Sequence, residues 1–394
     1  MPALPPPDAD ALAHSQRLRE LIQEHIFASG GAIPFSRFME LCLYTPGLGY
    51  YSAGATKFGA AGDFITAPEI GPLFAACVAD AVAPVLRELG PGAEFLELGG
   101  GSGAFAEVVL KRLLALDALP ARYAILEPSA DLRARQREHL RERLVPPLFD
   151  LVDWPDAPFQ AAWDGVVFAN EVIDALPTPR FAILGGEVFE EHVALGDGGA
   201  FVRMDRPADA LLTAAVRHVE RQLDAPFADG HRAELLPQLP YWVQAVVGPL
   251  RRGALLFIDY GHPRREYYHP SRRDGTLRAF RQHAVTNDVF AWPGLQDITA
   301  SVDFTALAEA GTGAGFDLAG YCSQASFLIG NGLEHNLADA EGHARDEGAR
   351  FALRQQAKRL TLPGEMGERF QAIGFERDVS FAAAFLAGDL AWRL

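Results

Sequence analysis

Residues 94–106 read Glu94-Phe95-Leu96-Glu97-Leu98-Gly99-Gly100-Gly101-Ser102-Gly103-Ala104-Phe105-Ala106, and the fold turns on this stretch. An apolar run that ends in a carboxylate, Phe95-Leu96-Glu97-Leu98, has the pattern of a parallel strand buried on both faces. It breaks into four glycines and a serine, after which Phe105, Val108, Val109, Arg112 and Leu113 recur at helical spacing. Glycines allow turn dihedrals closed to other residues and let a ligand come close to the backbone. The unpaired N–H groups that open the next helix point into the same space. The pattern is a nucleotide-binding strand–loop–helix.

Three readings compete for the nucleotide. Gly101-x-Gly103-x-x-Ala106 satisfies a dinucleotide fingerprint, with Glu127 as the acid about 20 positions on. Gly100-x-Ser102-x-Ala104 comes within one residue of a nucleophile elbow. The third is the S-adenosylmethionine loop of class I methyltransferases. There Glu97 serves the methionine end, the glycines make room for the ligand, and Glu127 takes the ribose hydroxyls. Only this last reading employs Glu97 and Gly99.

Outward from the loop, the chain alternates strand and helix. A helix from about Gly71 to Leu89 precedes it. Tyr123–Glu127 reads as the second strand, Ser129–Arg143 as an arginine-rich helix capped by Ser129, Leu148–Val152 as the third strand and Trp163–Ala169 as the fourth, ending in Asn170-Glu171. Repeated βα units imply a parallel sheet whose ligands bind at the carboxyl ends of the strands. Phe181–Met204 alternates apolar and polar residues around Gly185-Gly186 and Gly198-Gly199, as inserted antiparallel strands do. Helices are expected at Ala208–Leu223, Tyr241–Leu250 and Asp303–Ala310, and strands at Gly253–Asp259 and within Leu318–Ile329. Residues 340–375 read as helical and Asp378–Ala387 as a closing edge strand. Upstream, residues 1–15 read as disordered, with helices at Leu18–Phe27 and after a Ser36 cap.

Two loops are unusually dense. One runs from Leu43 through Tyr50-Tyr51 and Lys57-Phe58-Gly59 to Ile70. The other, between Gly261 and Arg281, sets six arginines against Glu266 and Asp274; it reads either as a solvated charged loop or as a substrate-facing wall.

The 394 residues are 49 % hydrophobic and 22 % charged, as in soluble globular proteins, and no apolar run approaches the roughly 20 residues that span a bilayer. Met1–Asp10 lacks the layout of a secretory signal, so a bacterial cytoplasm is the expected location. Cys42, Cys77 and Cys322 have no metal or disulfide spacing, and no metal site is expected. A net charge of −16 argues against a nucleic-acid partner and suits a basic substrate.

A set of motifs carries a family resemblance: Leu43-Tyr44, Gly49-Tyr50-Tyr51, Gly62-Asp63-Phe64-Ile65-Thr66-Ala67-Pro68-Glu69, Glu97-Leu98-Gly99, Ile125-Leu126-Glu127, Asn170-Glu171, Asp174-Ala175-Leu176-Pro177, Ile258-Asp259-Tyr260-Gly261, Glu266-Tyr267-Tyr268-His269-Pro270 and Gln296-Asp297-Ile298-Thr299. With these, residues 33–333 resemble the MidA family of S-adenosylmethionine-dependent methyltransferases, which includes a mitochondrial complex I assembly factor. The resemblance implies an α/β fold, a class I (Rossmann-like) methyltransferase sheet, with an N-terminal helical and loop extension (1–90). It places the core at 91–333, with insertions of antiparallel strands and helices at about 178–250 and 261–300, and a C-terminal segment at 334–394. It implies S-adenosyl-L-methionine as cofactor and a protein partner, an arginine of a respiratory complex I subunit brought to symmetric dimethylarginine. Gly100 departs from the family, which often has alanine there.

The candidate cofactor-binding residues are Thr66, Glu69, Glu97, Gly99, Gly101, Gly103, Glu127, Pro128, Asp156 and Asn170, with Gly62–Ile70 as a lid. Glu171 is the expected catalytic carboxylate, because an always-protonated guanidinium needs an acid to hold its fork. Asn170 would orient acceptor or cofactor, with Glu69, Asp63 and Asp259 as further candidates and His262 or His269 as proton acceptors. The rivals are a nicotinamide-dependent oxidoreductase, a hydrolase using Ser102, and an assembly factor that binds the cofactor without turnover.

Overall fold

The computed structural model describes residues 6–52, 66–282 and 284–394. Among them the chain forms two compact units. One takes the residues up to 52, then 173–238 and 262–303; the other takes 66–172, 239–261 and 304–394. Lys57-Phe58-Gly59, Asp63 and the Gly62–Ile65 part of the expected lid lie outside the described residues.

The second unit holds the sheet that the glycine stretch announces. Its strand order is Asp317–Ser323, Phe370–Arg377, Leu250–His262, Trp163–Asn170, Glu94–Leu98, Arg122–Leu126, Val152–Asp153. From Leu250–His262 onward every neighbour is parallel, whereas Phe370–Arg377 runs antiparallel to both of its neighbours. This is the class I methyltransferase arrangement. Aromatic stacking clamps the central strands: Phe95 lies 4.7 Å from Tyr123 and Phe105, on the helix after the glycines, lies 4.3 Å from Phe168. No described helix is long and apolar enough to cross a membrane.

The boundaries that differ have local causes. The expected strand over Leu148–Val152 is a short helix, Pro146–Phe149, followed by the two-residue strand Val152–Asp153; two prolines in its first turn favour the helical start. The first helix begins at Ala9, not Leu18, because Asp8 caps it through Ala11 N–H. Ser36 caps nothing. The chain arrives as the strand Ala32–Pro34, paired with Glu187–Leu195, and the helix opens at Phe35. Helix ends at Thr361, and the late strand is Phe370–Arg377, not Asp378–Ala387. The latter segment instead makes a 3-10 turn, Ala382–Phe385, that lays Phe385 over Gly320 and Gly374. A Cβ at either glycine would stand 2.4 or 2.3 Å from that side chain.

The first unit is antiparallel. Glu187–Leu195 pairs with Ala32–Pro34, Arg180–Leu184 and Phe201–Pro207, and Arg232–Glu234 completes that sheet. A small sheet joins Ala284–Thr286, Arg278–Arg281 and Asp297–Thr299. Arg180 is fully buried, bound to Glu191 at 2.8 Å, Glu234 at 2.9 Å and Asp274 at 2.7 Å. The arginine-dense loop is therefore not simply solvated: Asp274 anchors it to Arg180, Arg264 is buried against Asp303, and Arg281 is buried beside Trp292.

Candidate functional site

The site assembles within the sheet-bearing unit, at the carboxyl ends of its parallel strands. Gly99 has φ 67° and Gly103 φ 89°, values that side chains rarely tolerate. Gly103 is the N-cap of Ala104–Ala115 and offers that helix no capping side chain. A Cβ on Gly99 would stand 3.0 Å from Val172 Cγ2, which keeps that face of the turn bare backbone. Ser102 donates its hydroxyl to Glu69, so the short helix Ala67–Ile70, with Thr66 at its N-cap, is tied to the glycine loop.

Glu97 is 2 % exposed, with Tyr123 O–H donating to Oε2 at 2.8 Å. Burial pushes its carboxyl from 4.5 up to about 8; the Tyr123 bond draws it down and the charge of Glu127 adds to the rise. Glu127 follows its strand directly and is 5 % exposed. Its Oε1 accepts from Ser129 N at 3.0 Å and its Oε2 from Gln136 Nε2 at 3.2 Å. Pro128 is exposed beside it. Asp156 is ion-paired with Arg133, its side chain 90 % exposed.

The fourth strand ends at Asn170, in register with Ile258 of the neighbouring strand. One residue on, Glu171 has φ 53°, a left-handed conformation that costs about 1–3 kcal/mol in a non-glycine residue. Its backbone N–H donates to Ile258 O at 3.0 Å, and its Oε1 accepts from Asn170 Nδ2 at 3.1 Å and from Ala67 N at 3.4 Å. Asn170 Oδ1 is buried with no hydrogen-bond partner among the described residues. Asp259 is 1 % exposed and accepts from Tyr260 N. Thus Thr66, Glu69, Glu97, the three glycines, Glu127, Asn170, Glu171 and Asp259 all belong to this unit's strand ends or the segment bonded to them. His262 and His269 belong to the other unit, bonded to Arg272 and Ser271.

Three residues were not anticipated. Gln136 Nε2 donates to both Glu127 and Gly101 O, the latter at 3.0 Å, and its Oε1 accepts from Trp154 Nε1 at 3.0 Å. Tyr123 is the third, through Glu97. A signal for Gln136 existed: Leu132, Gln136 and Leu140 share the buried face of the Ala130–Arg143 helix, and a polar residue on an apolar period needs partners.

An adenosyl cofactor fits this chemistry: bare glycine backbone, a helix N-terminus capped by glycine, a held acid at the second strand and an unpartnered buried amide oxygen. Comparisons agree. The family described as "Putative S-adenosyl-L-methionine-dependent methyltransferase" matches residues 77–322. A Burkholderia thailandensis protein solved with bound S-adenosyl-homocysteine is 42 % identical, with TM-score 0.92 and 100 % of both chains covered. Among curated relatives, the Drosophila melanogaster mitochondrial protein named protein arginine methyltransferase NDUFAF7 homolog is 28 % identical over 87 % of this chain and 81 % of its own. The Homo sapiens protein arginine methyltransferase NDUFAF7 is 26 % identical over 87 % of this chain and 79 % of its own.

Proposed function

This chain belongs to the family of S-adenosyl-L-methionine-dependent methyltransferases, and from that premise we propose that it methylates an arginine of a protein acceptor, with Glu171 handling the guanidinium. The observation that carries the reading is the strained backbone of Glu171, φ 53°, at the end of the strand next to the glycine loop. Strain of this kind persists where surrounding contacts over-determine it, and it concentrates at functional sites. The curated relatives' names, protein arginine methyltransferase, supply the acceptor class.

When bound, the cofactor supplies a methyl on a cationic sulfur; a guanidine nitrogen forms the new N–C bond as S–C breaks, leaving S-adenosyl-homocysteine and releasing a proton from nitrogen. Glu127 would take the ribose hydroxyls and Glu97 the amino-acid end, with Gly99, Gly101 and Gly103 allowing close approach and Asn170 Oδ1 accepting a hydrogen bond from cofactor or acceptor. Thr66, Glu69 and Pro128 would border the same ligand, and Asp259 would steady the acceptor. Glu171 would concentrate positive charge on one guanidinium nitrogen so that another keeps its lone pair, and most of the acceleration would come from positioning. A respiratory complex I subunit, brought to symmetric dimethylarginine, is the first acceptor to test. Labelling host extract with tritiated-methyl cofactor, then mapping the labelled residue, is the experiment. Label on arginine supports the reading, and label on any other residue overturns it.

A further inference from the structure

Four motifs that the cofactor site leaves unused come together inside the antiparallel unit. Tyr44 and Tyr51 stack with centroids 5.6 Å apart, and both are half-buried. Tyr51 O–H donates to Asp297 Oδ1 at 2.8 Å, and Tyr44 O–H donates to Ala175 O at 2.8 Å. Ala300 N donates to Asp174 O at 3.0 Å, which lays the Asp174-Ala175 segment along the end of the Asp297–Thr299 strand. Leu43-Tyr44, Tyr50-Tyr51, Asp174-Ala175 and Gln296–Thr299 thus form one cluster, its tyrosine hydroxyls bonded to the Asp297 carboxylate and the Ala175 carbonyl.

We propose that this cluster, Asp174 and Asp297 with the Tyr44–Tyr51 pair, is a subsite for a guanidinium side chain of the protein acceptor. The proposal rests on the reading of the chain as a protein arginine methyltransferase. A carboxylate bonded to one of two stacked phenols, with the charge of Asp174 acting on the same phenol, offers a planar cation both ion pairing and ring faces. The charged neighbours that act on the Tyr51 phenol are Asp297 and Asp174, with Tyr44 and Tyr50. Independently, Thr299 Oγ1 and Gln296 Oε1 are buried without a hydrogen-bond partner among the described residues, Thr299 being 2 % and Gln296 1 % exposed. Alternation along a strand puts Thr299 on the same face as Asp297. An unsatisfied acceptor in such a place is costly, and a guanidinium, with five N–H donors, would satisfy it. The resident cation opposite Thr299, Arg278, turns instead to the carbonyl of Leu277 at 2.7 Å. The net charge of −16 also favours a basic acceptor.

The test is ligand-observed NMR, saturation transfer from the full-length protein saturated with S-adenosyl-homocysteine to N-ethylguanidinium, with ethylammonium as the shape control. Wild type should bind ethylguanidinium more tightly than ethylammonium, and Asp297→Asn should weaken it about tenfold or more, with cofactor affinity by calorimetry unchanged. Tyr51→Phe, which keeps the ring and removes one hydrogen bond, should weaken it less, and it decides the matter if Asp297→Asn does not fold. Equal binding in wild type and both variants, or none in wild type while S-adenosyl-homocysteine still binds, overturns the subsite and leaves the methyltransferase standing. Failure of wild type to bind S-adenosyl-homocysteine would instead strike the functional reading itself.

Discussion

Gln136 holds Glu127: its amide nitrogen donates to Oε2 at 3.2 Å and, from the same atom, to the carbonyl of Gly101 at 3.0 Å. One buried side chain therefore fixes the second-strand acid relative to the glycine loop, and Trp154 fixes that side chain in turn. Gln136→Leu keeps the volume and strands Glu127 and the Trp154 N–H without this partner. Each buried orphan costs roughly 1–3 kcal/mol. Affinity for S-adenosyl-homocysteine should fall about tenfold by calorimetry, with the protein still folded by circular dichroism. Unchanged affinity would show that the Glu127 position does not matter to the ligand.

Gly100 is not open to alanine here without cost, whatever relatives carry. A Cβ at this position would stand 2.5 Å from Ile125 Cγ2 and 3.1 Å from Gln136 Nε2. Overpacking of this kind destabilises by about 1–3 kcal/mol. In urea unfolding, Gly100→Ala should lose that much. Combined with Ile125→Ala it should lose less than the sum of the two single variants, since the two side chains compete for one space. Strict additivity would disprove the clash.

Glu97 makes stability depend on pH in a stated direction. Its folded pKa, about 8, lies above the ordinary 4.5, so the fold prefers the neutral acid. Its contribution is complete below pH 4.5 and lost as pH rises through 8, a loss on the order of 5 kcal/mol. Glu97→Gln still accepts from Tyr123 and cannot ionise. The stability difference between variant and wild type should therefore shift in the variant's favour from pH 5 to pH 9. A constant difference across that range would mean the Glu97 carboxyl is not perturbed.

Glu171→Gln keeps an acceptor for Ala67 N–H and Asn170 Nδ2 but removes the charge that a guanidinium needs. Methyl transfer to the acceptor should drop by a factor on the order of 100 or more, while S-adenosyl-homocysteine affinity stays within about twofold. Separately, Glu171→Gly should relieve the left-handed backbone and stabilise the fold by up to about 1 kcal/mol. Turnover surviving in Glu171→Gln would remove this residue from the chemistry.

The parallel sheet was readable because its signals are local. The run Phe95–Leu98, the glycines and the period of Ala104–Ala115 sit in one stretch, and the strand Trp163–Asn170 carries the apolar run Val166–Ala169. What escaped depends on distant partners. Phe370–Arg377 contains Gly374, a poor strand former in isolation, and is a strand because it fills the gap between two others and takes Phe385 over that glycine. Arg180 and Asp274 lie 94 positions apart, so no window of sequence joins them. In the site, the strand-end acids followed from the rule that ligands meet parallel strands at their carboxyl ends. The grip of Tyr123 on Glu97 and of Gln136 on Glu127 needed side-chain geometry.

The central claim is that the turn from Gly99 to Gly103 holds the cofactor, and calorimetric titration of S-adenosyl-homocysteine into wild type and Gly99→Val tests it most directly. Valine cannot adopt φ 67° without strain, and its branches would enter the space in front of the turn, where its Cβ already stands 3.0 Å from Val172. One cofactor per chain should bind to wild type and none measurably to Gly99→Val, with the melting temperature of the variant lowered by only a few degrees. A folded Gly99→Val that binds with wild-type affinity would contradict the account.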